Sequence, residues 1–239
     1  MPLLALHDVH KSYGAVKVTD GITLSVEPGQ TLGILGPNGA GKTTLFNLIS
    51  GDVRVDSGRV EYEGRDVTHL KPHQRCRSGM GRSYQVPQPF GNMSVFENLV
   101  TAACFGGGQH EHEAWETALQ VLEQTGLKPH ANKPAGGLTL LNRKRLELAR
   151  ALATKPKLLL LDEVAGGLTE QEAKVLIDEL KRIKAQGLTM IWIEHVVHAL
   201  LALADRLLVI NFGKQLAEGE PQAVMANADV RRVYMGMEP

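Results

Sequence analysis

A glycine-rich segment followed by a lysine and two threonines is the strongest chemical signal in the sequence. Residues 36–44 have the sequence GPNGAGKTT, with the spacing Gly-x-x-x-x-Gly-Lys-Ser/Thr of loops that cradle polyphosphates. Glycines let backbone N–H groups turn toward a phosphate without Cβ clashes, and the start of a helix adds partial positive charge. We expect Lys42 to reach the β- and γ-phosphates and the Thr43 hydroxyl to bind Mg²⁺.

The flanks of this segment match the context that such a loop needs. A buried strand is predicted over Thr31–Leu35 and a helix over Thr43–Ser50, and this agreement favours a phosphate-binding loop over a glycine-rich turn without chemical role. The predicted phosphate-binding residues are Gly36, Pro37, Asn38, Gly39, Ala40, Gly41, Lys42, Thr43 and Thr44.

Two carboxylates follow another predicted strand, Lys157–Leu161. In open parallel sheets ligands bind at the carboxyl ends of the strands, so Asp162 is expected to hold Mg²⁺ and Glu163 to polarise the attacking water as a general base. Alone, the pair would also suit a solvated acidic turn. Together with the phosphate loop, it predicts a site for a nucleoside triphosphate.

Composition narrows the class of protein. The 239 residues are 43% hydrophobic and 22% charged, and 26 Lys and Arg balance 26 Asp and Glu. This length can bury a sizeable core, and zero net charge removes a general electrostatic case for nucleic acid or an anionic membrane. Cys76 and Cys104 are far apart, without metal-type spacing. With no membrane-length apolar run and no basic leader, we expect a soluble cytosolic globular protein.

Hydrophobic periodicity indicates an α/β fold. The predicted strands are Leu3–Val9, Ile22–Val26, Thr31–Leu35, Arg59–Tyr62, Lys157–Leu161, Thr189–Ile193 and Arg206–Ile210. The stretch from Val95 to Ala153 is predicted to be mainly helical, and helices alternate with strands outside it. The predicted helices are Thr43–Ser50, Glu113–Thr125, Asn142–Ala153, Glu170–Ala185 and Val196–Ala204. This order predicts an antiparallel start, a helical insertion and a mostly parallel sheet.

Further segments, in the same order, make the chain resemble the ATP-binding cassette (ABC) family over essentially its whole length. Tyr13, in KSYGAVK, matches the aromatic residue that stacks on adenine, with Val16 beside it. Gln85, in RSYQVPQPF, matches the glutamine that senses Mg²⁺ and the attacking water. His195, after TMIWIE, matches the histidine that contacts the γ-phosphate. The resemblance thus implies Glu163, His195 and Gln85 as catalytic residues and Thr43, Gln85 and Asp162 as the Mg²⁺ site.

Two segments depart from the family pattern. LTLLN, residues 138–142, stands where the family has a signature usually written L-S-G-G-Q: Thr139 keeps a hydroxyl and could cap the next helix, but Leu140 and Leu141 replace glycines. The resemblance places Thr139 against the nucleotide of a second subunit. Losing one transition-state donor can cost about 10²–10³ in rate, so we expect slow or partner-dependent hydrolysis. In VAGGLT, residues 164–169, Thr169 replaces the usual Asp or Asn.

The resemblance implies a P-loop NTPase of ABC type that binds ATP and Mg²⁺. It implies a single nucleotide-binding domain, 1–239, with an α/β core (1–86 and 155–239) and an inserted helical subdomain (87–154). Implied partners are a second cassette, identical or paralogous, transmembrane permease subunits and, indirectly, a solute-binding protein, but no nucleic acid. The implied location is cytoplasmic, on the inner face of the cell membrane.

Within the family, three segments are similar to cassettes that import branched-chain amino acids, or to their relatives that serve amides, urea or aromatic acids. These segments are the phosphate-loop region, RSYQVPQPFGNMSVFENL and the ending AEGEPQAVMANADVRRVYMG. Alternatives are a cassette of a lipid or lipopolysaccharide exporter, a non-transport ABC ATPase, and an ATP-binding regulatory module with weak hydrolysis.

Overall fold

A computed structural model of the chain describes residues 1–235. The chain divides into two compact units, one formed by 1–72 together with 189 onward and one formed by 73–188. Residues 236–239, the end of the predicted 155–239 segment and of the C-terminal family segment, lie outside the described residues. Among residues 1–235, no helix combines the length and the apolar character needed to cross a membrane.

The first unit contains an antiparallel sheet in the order β2-β1-β4-β5. Its strands are β1 (Leu4–Tyr13), β2 (Val16–Val26), β4 (Ser57–Tyr62) and β5 (Arg65–Asp66). The predicted antiparallel start is confirmed, but β1 and β2 extend beyond the predicted apolar segments. Register shifts between Leu6 and Ser12 interrupt the pairing of β1 with β2, and such bulges break the strict alternation by which a strand is recognised in a sequence.

The same unit contains strands in the order β10-β9-β3-β8, in which β3 is parallel to β9 and β8. These strands are β3 (Thr31–Leu35), β8 (Thr189–Ile193), β9 (Arg206–Asn211) and β10 (Lys214–Gly219), and the helices of this unit are α1 (Lys42–Ser50), α7 (Val197–Leu201), α8 (Pro221–Ala226) and α9 (Ala228–Met235). Every residue of β3 and β8 is buried. Their nearly continuous apolar sequences, TLGIL and TMIWI, explain why both predicted strands have the observed bounds.

The second unit has two parallel strands, β6 (Met80–Ser83) and β7 (Leu158–Asp162), and most of the helices. The helices are α2 (Pro72–Arg77, which begins at the boundary), α3 (Val95–Thr101), a π-helix (Ala102–Gly106), α4 (Glu111–Gln124), two 3₁₀ turns (Lys128–His130 and Ala135–Gly137), α5 (Leu140–Ala153) and α6 (Glu170–Lys184). The predicted α/β fold with a mainly helical stretch is therefore confirmed.

Helix α5 buries charged as well as apolar side chains. Leu146, Leu148 and Leu152 are buried, as expected for a core-facing helix, but so are Lys144 and Glu147, which are 6% and 5% exposed. Charged groups are rarely buried without partners because their desolvation is costly. The inner side of α5 therefore carries polar contacts as well as hydrophobic packing.

A buried ion pair joins α5 to α6. The Arg145 guanidinium donates through Nε and Nη2 to the Glu179 carboxylate, with an Nε–Oε2 distance of 3.1 Å. The two side chains are 14% and 4% exposed, so water screens the pair weakly. Two-point contacts of this kind combine charge with fixed geometry.

Replacing Glu179 by Gln is expected to lower the free energy of unfolding by about 3 kcal/mol, because a largely buried guanidinium loses its counter-charge. The matched control is Glu123→Gln, which removes the partner of Lys128 in a pair whose side chains are 67% and 65% exposed and should cost less than about 1 kcal/mol. Urea unfolding followed by circular dichroism measures both values. Equal losses of unfolding free energy in the two variants would show that the Arg145–Glu179 pair stabilises the fold no more than an exposed ion pair does.

Candidate nucleoside triphosphate site

The loop between β3 and α1 is shaped by close approaches of backbone to backbone. A Cβ on Gly36 would lie 2.3 Å from the carbonyl oxygen of Ile210, and one on Gly41 would lie 2.2 Å from that of Val18. Gly41 also has a φ of 104°, in the region that favours glycine. The packing of this unit therefore requires glycine at positions 36 and 41, whether or not a phosphate is bound.

The Lys42 side chain lies within the curve of this loop. Its Nζ donates to the carbonyl oxygens of Gly36 at 2.6 Å and Pro37 at 3.0 Å, and the residue is 5% exposed. Thr43 is exposed and Thr44 half-buried at the start of α1. An ammonium group inside a loop at a helix N-terminus is arranged to bind a polyanion.

The remaining loop residues differ in exposure. Asn38 and Gly39 are exposed, whereas Ala40 is buried and its carbonyl accepts a hydrogen bond from the Gly213 amide at 3.0 Å. The loop is thus tied to the β9–β10 turn on one side and open to solvent at its tip. An open tip leaves backbone amides accessible to a ligand.

Tyr13 and Val16 face each other across the β1–β2 hairpin, where they are register partners. Tyr13 is 51% exposed and Val16 64% exposed, and the Lys11 ammonium lies 5.4 Å from the centre of the tyrosine ring. An exposed aromatic face beside an aliphatic side chain can stack against a planar heterocycle.

His195 lies just beyond the carboxyl end of β8 and is exposed. Its backbone N–H donates to the carboxylate of buried Glu194 at 2.9 Å. Because β8 is the parallel neighbour of β3, His195 follows the same edge of the sheet as the phosphate loop. This is the edge where ligands bind in open α/β sheets.

In the second unit, Asp162 ends β7 and pairs with an arginine on β6. The Arg82 Nη2 lies 3.1 Å from Asp162 Oδ2, and the two side chains are 7% and 3% exposed. The guanidinium group also stacks over the Tyr84 ring, 4.7 Å from its centre. The Asp162 carboxylate is therefore held in place and its charge is countered.

Glu163 and Gln85, which were both expected to act on the attacking water, are hydrogen-bonded to each other. The Glu163 carboxylate accepts a hydrogen bond from Gln85 Nε2, and its backbone carbonyl accepts one from Lys144 Nζ at 2.9 Å. Glu163 is half-buried and has a φ of 48°, which is uncommon for a residue other than glycine and marks a constrained position.

The segment after Gln85 is held by α5. The backbone N–H of Gln88 donates to Glu147 Oε1 at 2.8 Å, and the backbone carbonyl of Gln88 accepts a hydrogen bond from Arg150 Nη1 at 3.0 Å. These contacts explain why Glu147 is buried. They also fix one end of the loop that carries Gln85.

Thr139 caps α5, as expected, with its hydroxyl oxygen 3.5 Å from the Asn142 amide. Thr139 is exposed, and Leu140 is 45% exposed with its Cδ2 3.5 Å from where a Cβ on Gly167 would be. The first turn of α5 thus lies beside the loop that follows Glu163. The role of Thr139 toward a second subunit stays a prediction.

A second threonine, Thr169, caps α6 in a reciprocal capping box with Glu172. The Thr169 backbone N–H and hydroxyl both donate to the Glu172 carboxylate, and these bonds hold the pKa of Glu172 below its usual range. The family Asp or Asn at this position could cap a helix equally well. Thr169 therefore preserves the local structure despite the change of residue type.

The predicted residues fall into two sets, one in each unit. The first unit holds Tyr13, Val16, residues 36–44 and His195, and the second holds Gln85, Thr139, Asp162 and Glu163. Arg82 and Lys144 were missed by the sequence analysis. Only Lys144 had a sequence signal: it shares a helical face with Leu148 and Ala151, at spacings of four and seven, where an apolar residue is expected.

Replacing Gly41 by Ala should lower the free energy of unfolding by at least about 3 kcal/mol, since strain at positive φ adds to overpacking. Gly39→Ala is the matched control: Gly39 has a φ of 79°, but no heavy atom lies within 4 Å of an added Cβ, so about 1–2 kcal/mol is expected. Urea unfolding without nucleotide measures both. Similar losses for the two variants would show that the contact with Val18 is unimportant.

Comparisons with known proteins identify the family. The profile of the ABC transporter family matches residues 19–166. The high-affinity branched-chain amino acid transport ATP-binding protein BraF of Pseudomonas aeruginosa is 33% identical, with 98% of each chain covered. The high-affinity branched-chain amino acid transport ATP-binding protein LivG of Escherichia coli K12 is also 33% identical, with 98% of each chain covered.

Solved structures give the same result. A nucleotide-free ATP-binding cassette from an ABC transporter is 31% identical, with a TM-score of 0.89 and coverage of 99% of this chain and 100% of that one. An ATP-binding cassette of an ABC transporter, solved in its ADP conformation, is 32% identical, with a TM-score of 0.88 and coverage of 99% of this chain and 100% of that one. Family, relatives and structures agree with one another, and the chain belongs to the ABC transporter family as one of its ATP-binding, ATP-hydrolysing cassettes.

Proposed function

We propose that this chain is the ATPase subunit of an importer of branched-chain amino acids or related small polar or aromatic solutes. The observation that supports it most is the 36–44 loop with the Lys42 ammonium inside its curve, in a chain similar over 98% of its length to ATP-binding proteins of branched-chain amino acid transport. Neither this similarity nor the site favours an exporter, a non-transport ATPase or a purely regulatory module.

Nucleotide binding uses the residues of the first unit. The adenine ring stacks on Tyr13 beside Val16, and the phosphates lie against the amides of residues 36–44 and the Lys42 ammonium. His195 contacts the γ-phosphate. The exposure of Tyr13, Val16 and His195 supports this assignment because a ligand must reach them.

The residues proposed to hold Mg²⁺ offer only oxygen donors: the Thr43 hydroxyl, the Gln85 amide oxygen and the Asp162 carboxylate. Hard oxygen donors with one carboxylate suit Mg²⁺, which is usually bound through one or two carboxylates and the substrate phosphates. When bound, the ion would neutralise charge on the β- and γ-phosphates.

Hydrolysis requires a water molecule aligned with the γ-phosphorus and a base to take its proton. The Glu163 carboxylate, oriented by Gln85 Nε2, accepts that proton as the water oxygen bonds to phosphorus and the bond to the leaving ADP oxygen breaks. Lys42 and His195 stabilise the negative charge on the transferring group.

The working unit is proposed to be a pair of cassettes, identical or paralogous, on the cytoplasmic side of a membrane. Thr139, exposed at the N-terminus of α5, contacts the nucleotide held by the other cassette. Residues 87–154 act as the helical subdomain that passes closure to permease subunits, which a solute-binding protein supplies. Closure follows from a higher affinity of the closed pair for ATP than for its products.

Glu163→Gln is expected to lower steady-state ATP hydrolysis by about 10²–10⁴-fold while ATP still binds, because only proton acceptance is lost. Mg·ATP should then raise the sedimentation mass of this variant toward that of a dimer. Glu116→Gln, an exposed position on α4, is the control and should keep full turnover. Full activity of Glu163→Gln would exclude Glu163 as the base.

Uptake measurements test the transported solute. Deleting the gene for this chain in its source organism should lower uptake of radiolabelled leucine, and the wild-type gene but not Glu163→Gln should restore it. Benzoate and urea uptake, measured in parallel, distinguish the related importers. Normal leucine uptake in the deletion strain, with loss of another solute, would reject branched-chain amino acids as the cargo.

A further inference from the structure

Lys144 is a buried lysine whose side chain ends at the backbone of Glu163. It lies in the second turn of α5 and is 6% exposed, and its Nζ donates to the Glu163 carbonyl oxygen at 2.9 Å. The same ammonium nitrogen is 4.0 Å from where a Cβ on Gly166 would be. Lys144 thus contacts the turn that follows the proposed catalytic base.

Packing alone does not explain a lysine at this position. Burial of an ammonium group carries a desolvation cost that an apolar side chain of similar length avoids. On the same face, Leu148 and Ala151 are apolar and buried, so a methionine at 144 would continue the core. The charged end is useful only through the groups that it contacts.

The contacted group is unusual. Glu163 has a φ of 48°, a conformation that costs about 1–2 kcal/mol for a residue with a Cβ. Its carbonyl oxygen accepts a second hydrogen bond, from the Gly166 amide at 3.2 Å. Lys144 and Gly166 together hold the peptide plane after Glu163, and this plane sets the backbone direction from which the carboxylate projects.

The carboxylate itself is held at its other end by Gln85 Nε2. Glu163 is therefore fixed at two points, by Lys144 through its backbone and by Gln85 through its side chain. A general base must be placed accurately, since a displacement of about 1 Å can cost about 10²-fold in rate.

We propose that Lys144 is a positioning residue for ATP hydrolysis, which holds the backbone of Glu163 so that its carboxylate faces the attacking water. This inference rests on the proposed role of Glu163 as the base. Lys144 contacts neither substrate nor water in this role, and its loss acts on the chemical step through Glu163 alone.

The test compares Lys144→Met, Lys144→Arg and Lys144→Gln with wild type, under conditions in which thermal unfolding shows each to be folded. Lys144→Met should lower kcat by about 10–100-fold, with KM for ATP and the affinity for a fluorescent ATP analogue within about twofold. Lys144→Arg keeps a charged donor and should recover most of kcat. If Lys144→Met does not fold, Lys144→Gln, which is shorter and neutral, replaces it with the same expected loss.

A double variant separates positioning from a general loss of structure. In a Glu163→Gln background, Lys144→Met should lower the residual turnover no further, because the group that it positions is already gone. Glu179→Gln, which weakens a buried ion pair made by Arg145 of the same helix, should lower the unfolding midpoint yet leave kcat unchanged. An undiminished kcat in folded Lys144→Met, or an equal loss in both backgrounds, would overturn the proposal.

The same set of variants distinguishes the two hypotheses. If Glu163→Gln retains wild-type turnover, the proposed base is wrong whatever Lys144 does. If Glu163→Gln is inactive and folded Lys144→Met is fully active, the base stands and only the positioning role of Lys144 fails.

Discussion

The carbonyl groups of Val18 and Ile210 impose the constraint on which the proposed phosphate-binding half of the site depends. Both approach the 36–44 loop so closely that a single methyl group at Gly36 or Gly41 would overlap them. The loop is thus confined between β2 and β9 and can turn only as glycine permits. Because packing sets its shape, the loop backbone is held in its curve without a ligand, and preorganisation of this kind reduces the free energy lost on binding.

The second unit solves a different problem, the placement of charged side chains at the end of a strand. Helix α5 supplies the contacts: Lys144 holds the turn after Glu163, while Glu147 and Arg150 hold the segment after Gln85. Each of these side chains exchanges hydration for a defined hydrogen bond, so the polar network specifies geometry more than it adds stability. One amphipathic helix therefore combines a structural face with support for two proposed catalytic residues.

Local sequence patterns predicted the parts of the fold whose residues share one environment. Thr31–Leu35 and Thr189–Ile193 were predicted with the observed bounds because every residue of both strands is buried. The four-residue strand Met80–Ser83, with a glycine and an arginine at its centre, shows no such pattern. The phosphate loop and the paired carboxylates were recognisable because their chemistry lies in adjacent residues. Arg82 and Lys144 act on residues 80 and 19 positions away, and a single sequence does not report which distant residues meet.

The pairing of Arg82 with Asp162 has a consequence for its neighbour. Asp162 and Glu163 are consecutive, and two ionised carboxylates at one strand end repel each other strongly where burial limits screening. With the guanidinium 3.1 Å from Asp162, an arginine on the neighbouring strand offsets the charge of one of the two carboxylates. One short strand can then carry a proposed metal ligand and a proposed proton acceptor at consecutive positions.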